Sequence, residues 1–167
     1  MPNKARRLRL QEYLPYRLSV AANAVSELIA RGYESRFKLR IPQWRLIAVL
    51  ADEGPLTQQS LCGRTIMDKV TVMRAAQGLL RRRLVRRLPN ERDGRSHRLQ
   101  LTATGLRLYR QIVPLALDYQ AQLLAGLERD EILRLEATLK RLEECAVSLQ
   151  QVVEVTPSRP GRHGAYH

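Results

Sequence analysis

The sequence predicts a mainly α-helical chain with one small β-hairpin, and three observations carry that expectation. Ile132, Leu135, Leu139, Leu142, Ala146, Leu149 and Val153 step by three and four residues without a fault, the period of a helix with one apolar seam. Thr57 and Asp68 each precede a short stretch of helical character, "QQSLCGRT" and "KVTVMRAAQGLLRRR". Short oxygen-bearing side chains at such points accept from the exposed amides of a first helical turn. Finally, "LVRRL" and "SHRLQL" have strand composition and bracket the turn-forming run "PNERDG", which together read as a hairpin.

The remaining elements follow in chain order. Residues 1–10 form a basic arm expected to be disordered, and from Tyr13 the pattern turns helical. Leu14, Leu18, Ala21, Val25 and Leu28 make a narrow stripe, the seam of a helix that packs on another helix. Arg31-Gly32 and the run to Arg40 are expected to break or bend it. Pro42 opens a second helix with Trp44, Ile47, Ala48 and Ala51 on one face, stopped at Gly54-Pro55, since proline suits a first helical turn and punctuates a last one. The two short capped helices come next, the second with Val72, Ala76, Leu79 and Leu80 inward. Two short helices joined by a tight turn make a helix-turn-helix pattern, and the hairpin follows directly as a wing. Thr102 caps another helix, expected to bend at Pro114. The last helix starts near Asp130, and "TPSRPGRHGAYH" reads as a disordered basic tail. The expected organisation is an arm at 1–10, an N-terminal dimerisation helix at 11–40, a winged helix-turn-helix at 41–101, C-terminal dimerisation helices at 102–153 and a tail at 154–167. The seams of the first and last helices exceed what one small central domain can cover, so a second copy of the chain is the expected partner, with an intramolecular core as the plainer alternative.

Charge narrows the function. Lysine and arginine outnumber acids 29 to 16, giving a formal net charge of +13. That excess points to a polyanion, nucleic acid before an anionic membrane. The arginines concentrate: eight of the eighteen residues at 81–98 are arginine, a self-repelling arrangement unless an anion lies against it. Aromatic residues make up only 5%, which disfavours single-strand stacking as the binding mode. No stretch approaches the roughly 18 apolar residues of a membrane span, the N-terminus has no apolar run of a signal peptide, and a cytoplasmic, reduced protein is expected. Two cysteines without CxxC spacing imply neither a zinc site nor a disulfide framework. Cys62 and Cys145 read as small buried hydrophobes before redox switches, and His97 as a wing residue, structural or phosphate-contacting. No constellation of catalytic residues, phosphate loop or metal spacing is present, so no enzyme, metal or cofactor is expected.

A helix-turn-helix lays the start of its second helix against base edges in the major groove. Here that start is Asp68, Lys69, Val70, Thr71 and Arg74: arginine suits guanine or phosphate, threonine either, and valine a thymine methyl. Thr57, Gln58 and Gln59 open the preceding helix, where free amides face a phosphate. The wing tip, Arg92 and Arg95, suits the narrow electronegative minor groove, with Asp93 placed to hold the Arg95 guanidinium. Arg81, Arg82, Arg86, Arg87 and Arg98 flank the wing as phosphate contacts. About 6–10 engaged phosphates would lower affinity about 10³–10⁵-fold between 50 and 200 mM salt.

The stretch "LTQQSLCGRTIMDKVTVMRAAQGLLRRRLVRR", the wing "NERDGRSHRLQLT" with its D-x-R at Asp93 and Arg95, and the following "TATG" resemble the winged-helix core of the MarR (multiple antibiotic resistance regulator) family of bacterial transcription factors. The flanking helices extend the resemblance from about Tyr13 to Gln151. It departs at Val70 and Met73, where family members often carry serine or threonine, and at the first helix, which lacks the reactive cysteine of peroxide-sensing members. The resemblance implies a homodimer joined through its first and last two helices, with Leu14, Leu18, Ile132, Leu135, Leu139, Leu142 and Leu149 at the contact. It implies a pseudo-palindromic operator in double-stranded DNA, repression, and release by a small effector. Effectors in this family commonly bind between the first, second and fifth helices, which here would bring in Tyr16, Arg17, Asn23, Trp44, Arg45 and Tyr109. Aromatics beside arginines suit an anionic aromatic ligand, an aromatic carboxylate or its coenzyme A thioester, although Trp44 as plain core is an equal reading. A basic DNA- or RNA-binding protein without a specific operator is the alternative function.

Overall fold

The computed structural model describes residues 7–91 and 93–155. It is mostly helical, with six α-helices and a small antiparallel sheet: α1 (Leu14–Phe37), α2 (Ile41–Glu53), β1 (Leu56–Thr57), α3 (Gln58–Thr65), α4 (Lys69–Arg81), β2 (Val85–Pro89), β3 (His97–Leu101), α5 (Ala103–Leu124) and α6 (Arg129–Val155). Two compact units are present, one ending at Ala121 and the other starting at Gln122.

The first unit is built on one core. Leu39, Leu46, Ile47, Leu61, Val72, Leu79, Leu99 and Ile112 are all fully buried, and they come from α2, α3, α4, β3, α5 and the α1–α2 link. Burying a side chain of this kind contributes roughly 1.5–3 kcal/mol, so this cluster fixes how α3 and α4 meet the hairpin. The sheet order is β1-β3-β2. Leu99 of β3 faces Leu56 on one side and Arg87 on the other, and Val85 pairs with Leu101. β1 has only two residues, too short to show alternation in the sequence, yet it closes the inner edge of the wing.

Helix α1 runs on through Arg31 and Gly32 to Phe37, where a break or bend was expected. Glycine alone costs a helix only about 1 kcal/mol, and here it is needed, because a Cβ on Gly32 would collide with the Tyr119 ring of α5. The helix ends instead at Lys38, which turns left-handed at φ 54° and returns its amide to the Glu34 carbonyl at 2.9 Å. Helix α4 stops at Arg81, two residues short of the expected end. Arg83 is left-handed at φ 56°, and the Leu84 amide returns to the Leu79 carbonyl at 3.0 Å, which releases the chain into β2. Thr102 caps α5 as expected, its hydroxyl accepting from the Gly105 amide at 3.1 Å. α5 continues unbroken across Pro114.

The second unit contains α6. Asp130 and Glu131 occupy its first turn, where acids favour the positive end of the helix dipole. Every described side chain of α6 beyond Ile132, up to Gln150, is exposed. Of the expected terminal segments, residues 1–6 and 156–167 lie outside the described residues. Among the described ones no helix is long and apolar enough to cross a membrane.

Candidate nucleic-acid interface

Local capping builds the interface. The Thr57 hydroxyl accepts from the Ser60 amide at 3.1 Å and starts α3. α3 ends at Ile66, left-handed at φ 51°, whose amide returns to the Cys62 carbonyl. Asp68 then starts α4: one carboxylate oxygen accepts from the Thr71 amide at 2.9 Å, the other from the Thr71 hydroxyl at 2.6 Å. Those two bonds hold the Asp68 carboxyl below the usual aspartate range, the hydroxyl bond contributing most. Thr71 therefore spends its hydroxyl proton on its own helix cap and presents its oxygen as an acceptor only.

Helix α4 divides cleanly. Val72, Ala75, Ala76 and Leu79 are buried, while Lys69, Val70, Met73 and Arg74 are exposed. An exposed valine and methionine on a charged helix face are suited to apolar contact with base methyl groups.

The wing tip is ordered by backbone-directed bonds. The Asp93 carboxylate accepts from the Arg95 backbone amide at 3.0 Å, so it shapes the turn, whereas the sequence suggested a grip on the guanidinium. A side chain this short reaches the amide two residues on and forms an Asx turn. Asn90 donates to the Ser96 hydroxyl at 2.6 Å across the same turn. Arg92, the other expected tip residue, lies outside the described residues. Between the wing and the start of α4 lies a groove of about 580 Å³, lined by Gln58, Gln59, Lys69, Arg87, Arg95 and His97, with Asp93 the one lining carboxylate among the described residues.

Six of the eight arginines of 81–98 fall into two groups. Arg82 donates to the Lys38 and Phe37 carbonyls at 2.8 and 2.9 Å, satisfying the carbonyl end of α1. Arg86 donates twice to Gln100 across the hairpin, at 2.9 and 2.7 Å. Arg98, half-buried, donates through Nε and one terminal nitrogen to the Pro55 carbonyl at 3.2 and 3.1 Å, tying the hairpin to β1. These three brace the fold; with five guanidinium N–H donors, each retains hydrogens for a phosphate. Arg81, Arg87 and Arg95 are exposed.

Residues 37–96, the span that carries this arrangement, match the family model described as MarR family. The winged-helix region belongs to the MarR family. Among solved structures, a probable transcriptional regulator from Pseudomonas aeruginosa is similar over 80% of this chain and 99% of its own, at 28% identity and a TM-score of 0.71. The PcaV transcriptional regulator of Streptomyces coelicolor, in complex with its natural ligand, shares the fold over 84% of this chain and 98% of its own, at 23% identity and a TM-score of 0.70. So does BpsR of Bordetella bronchiseptica, whose DNA binding is regulated by 6-hydroxynicotinic acid, over 82% of this chain and 97% of its own, at 21% identity and a TM-score of 0.73. No curated protein gives a significant sequence match.

Two other groups of residues singled out by the sequence sit on this MarR-type scaffold. Trp44 of α2 stacks on Tyr109 of α5 with ring centroids 5.8 Å apart. Tyr33 of α1 also meets Trp44, with centroids 5.7 Å apart and the rings tilted by 39°. Sequence reasoning missed Tyr33 because it falls in the run read as a break in α1 and lies off the leucine stripe; the signal was a second face of the same helix, Ile29, Tyr33 and Phe37 at four-residue spacing, which meets the core. Tyr33 is buried, and burial pushes its hydroxyl pKa up to about 12, with Glu34 adding to the effect and Arg45 opposing it. Arg45 donates to Ser26 at 3.4 Å. Tyr16, Arg17 and Asn23 stand exposed on the first half of α1, so of the six expected effector residues the structure brings together Trp44 and Tyr109. Cys62 packs, half-buried, against the core. Cys145 is exposed, unlike the buried position its place beside the seam suggested, because α6 covers none of its described seam residues by itself.

Proposed function

We propose that this chain is a homodimeric transcriptional repressor that reads a pseudo-palindromic operator and is released by a small anionic aromatic effector. The observation that carries the DNA-binding part is the cationic groove between the wing and the start of α4, to which Lys69, Arg87 and Arg95 contribute. In this reading Lys69, Val70, Thr71 and Arg74 meet the major groove, Thr57, Gln58 and Gln59 the phosphates at the start of α3, and Arg95 the minor groove. Arg81, Arg92, Asp93 and Arg98 support the flanks. Residues 41–101 form the DNA-binding domain, and the helices at 11–40 and 102–153 serve dimerisation.

The dimer is supported by apolar side chains that stand in water on the isolated chain. Leu135, Leu139, Leu142 and Leu149 of α6 are 38–66% exposed, and Leu14 and Leu18 of α1 are 54% and 37% exposed. A seam of period 3.5 on a helix that covers none of it is the pattern of a helix awaiting a partner. Two copies would carry two α4 helices, and entry into successive major grooves requires about 34 Å between them. An effector that favours another separation would weaken DNA binding by its differential affinity for the two states, commonly about 1–3 kcal/mol.

The effector class rests on Trp44, Tyr109 and Arg45, together with the two similar regulators, one solved with its natural ligand and the other regulated by 6-hydroxynicotinic acid, an aromatic carboxylic acid. Aromatic carboxylates and their coenzyme A thioesters are the compounds to titrate calorimetrically. Binding with concomitant loss of DNA affinity is expected; no heat from either class would remove the effector proposal. For the DNA part, affinity for a genome-selected site is compared with affinity for a random duplex at one salt concentration. A ratio of about 10³ or more is the expected result. A ratio near one would favour the reading without a specific operator.

A further inference from the structure

We propose that a second cationic hollow, lined by Lys38, Arg40, Arg74 and Arg81, grips the phosphodiester backbone of the same duplex. It encloses about 600 Å³ and shares no lining residue with the wing groove. Lys38 and Arg40 come from the link between α1 and α2, outside the helix-turn-helix and wing to which the DNA contacts have been assigned. Gln43, Thr71 and Gln77 complete the polar lining, and among the described residues no carboxylate belongs to it. None of the four cations pairs with a carboxylate among the described residues. Glu34, one turn before Lys38, lines an adjoining hollow instead.

Three contacts make this a built arrangement rather than a chance crowding of flexible side chains. Arg82 at the end of α4 holds the Phe37 and Lys38 carbonyls. Gln43 lies over Gly78 so closely that a Cβ there would strike its side-chain amide. The Arg40 amide in turn donates to Gln43 Oε1 at 3.0 Å. The α1–α2 link is thereby fastened to the middle and end of α4, and Lys38 is held left-handed at φ 54°, a conformation L-residues with side chains rarely adopt. Like charges fixed around a concavity focus positive potential and are relieved by an oxyanion. A backbone phosphate is favoured over a free one because Thr71, Arg74 and Arg81 extend the hollow onto the face of α4 that the DNA-binding reading lays against the duplex. The inference rests on that reading.

The test uses the full chain and a random-sequence duplex of about 30 base pairs, since backbone contacts are independent of sequence. The slope of log affinity against log salt is measured for the wild type, for Lys38→Gln/Arg40→Gln, and for Lys140→Gln/Arg141→Gln, which removes the same charge from α6. Loss of two phosphate contacts should flatten the slope by about 1.8 in the first double variant and leave it unchanged in the second. Lys38→Gly, which suits the left-handed backbone while removing the ammonium, should flatten it by about 0.9 with no fall in melting temperature. An unchanged slope in the first variant, or an equal flattening in both double variants, overturns the proposal. Titration with inorganic phosphate separates the sources: phosphate binding that Lys38→Gln/Arg40→Gln abolishes, with an unchanged DNA slope, would make this a small-anion site and overturn the backbone assignment. A wild type that binds no duplex at all would overturn the DNA-binding reading as well, which distinguishes the two failures.

Discussion

The region from α2 to β3 and the helix α6 answer the same demand, covering apolar side chains, in opposite ways. The first buries Leu46, Leu61, Val72, Leu79 and Leu99 within one chain. The second carries an equally regular leucine seam and leaves it in water, with Leu139 46% exposed. The contrast teaches that the DNA-reading part is structurally self-sufficient, whereas the C-terminal helix makes sense energetically only with something laid along it. Charge repeats the lesson on a smaller scale. Arg82, Arg86 and Arg98 are occupied by carbonyl and amide oxygens of their own chain, while Arg95 offers its guanidinium to solvent.

The sharpest way to break the contrast is Leu139→Glu. A carboxylate in the proposed seam should yield monomers by sedimentation while the first unit keeps its fold. DNA affinity should fall about 10²-fold or more as bivalent binding is lost. A dimer that persists would show the seam has no part in association. Leu79→Ala tests the other side: a cavity in a fully buried site should cost about 2–5 kcal/mol in denaturant unfolding without altering association first. Arg95→Ala should weaken DNA binding about tenfold, ~1.4 kcal/mol, with dimer and melting temperature intact. Unchanged affinity would remove Arg95 from the interface.

Two titrations give the smallest effects and locate them in the first unit. The Asp68 carboxyl has a lowered pKa in the folded chain, so its cap stabilises at neutral pH. That stabilisation should fade as pH falls below the ordinary aspartate range, and Asp68→Asn should remove this acid dependence from the melting curve. Tyr33 has a raised pKa, about 12. Its contribution is complete below pH 10 and should be lost as pH rises from 10 towards 12, a loss Tyr33→Phe should abolish.

Features governed by neighbours a few residues apart could be read in the sequence. The caps at Thr57, Asp68 and Thr102, the extent of α3 and the hairpin with its turn are all local, and the structure keeps them. What escaped depends on distant partners. Gly32 sits inside α1 because the Tyr119 ring lies against it. β1 exists because Leu56 pairs with Leu99, forty-three positions away. Arg82 looked like one more phosphate contact because its two carbonyl partners lie 44 and 45 residues earlier. Asp93 was read in the right turn with the wrong atom, since the choice between amide and guanidinium is set by backbone geometry that the sequence does not display. The aromatic cluster of α1, α2 and α5 was legible at Trp44 and Tyr109 but incomplete without Tyr33.

The central claim is that two copies of this chain place their α4 helices in successive major grooves of a specific site. Retention of fragmented genomic DNA at about 150 mM salt, followed by sequencing of what stays bound, tests it most directly. The account predicts a short inverted repeat with half-sites one helical turn apart, about 10 base pairs centre to centre. Uniform recovery without a motif would contradict it, leaving arginines that hold phosphate and read nothing.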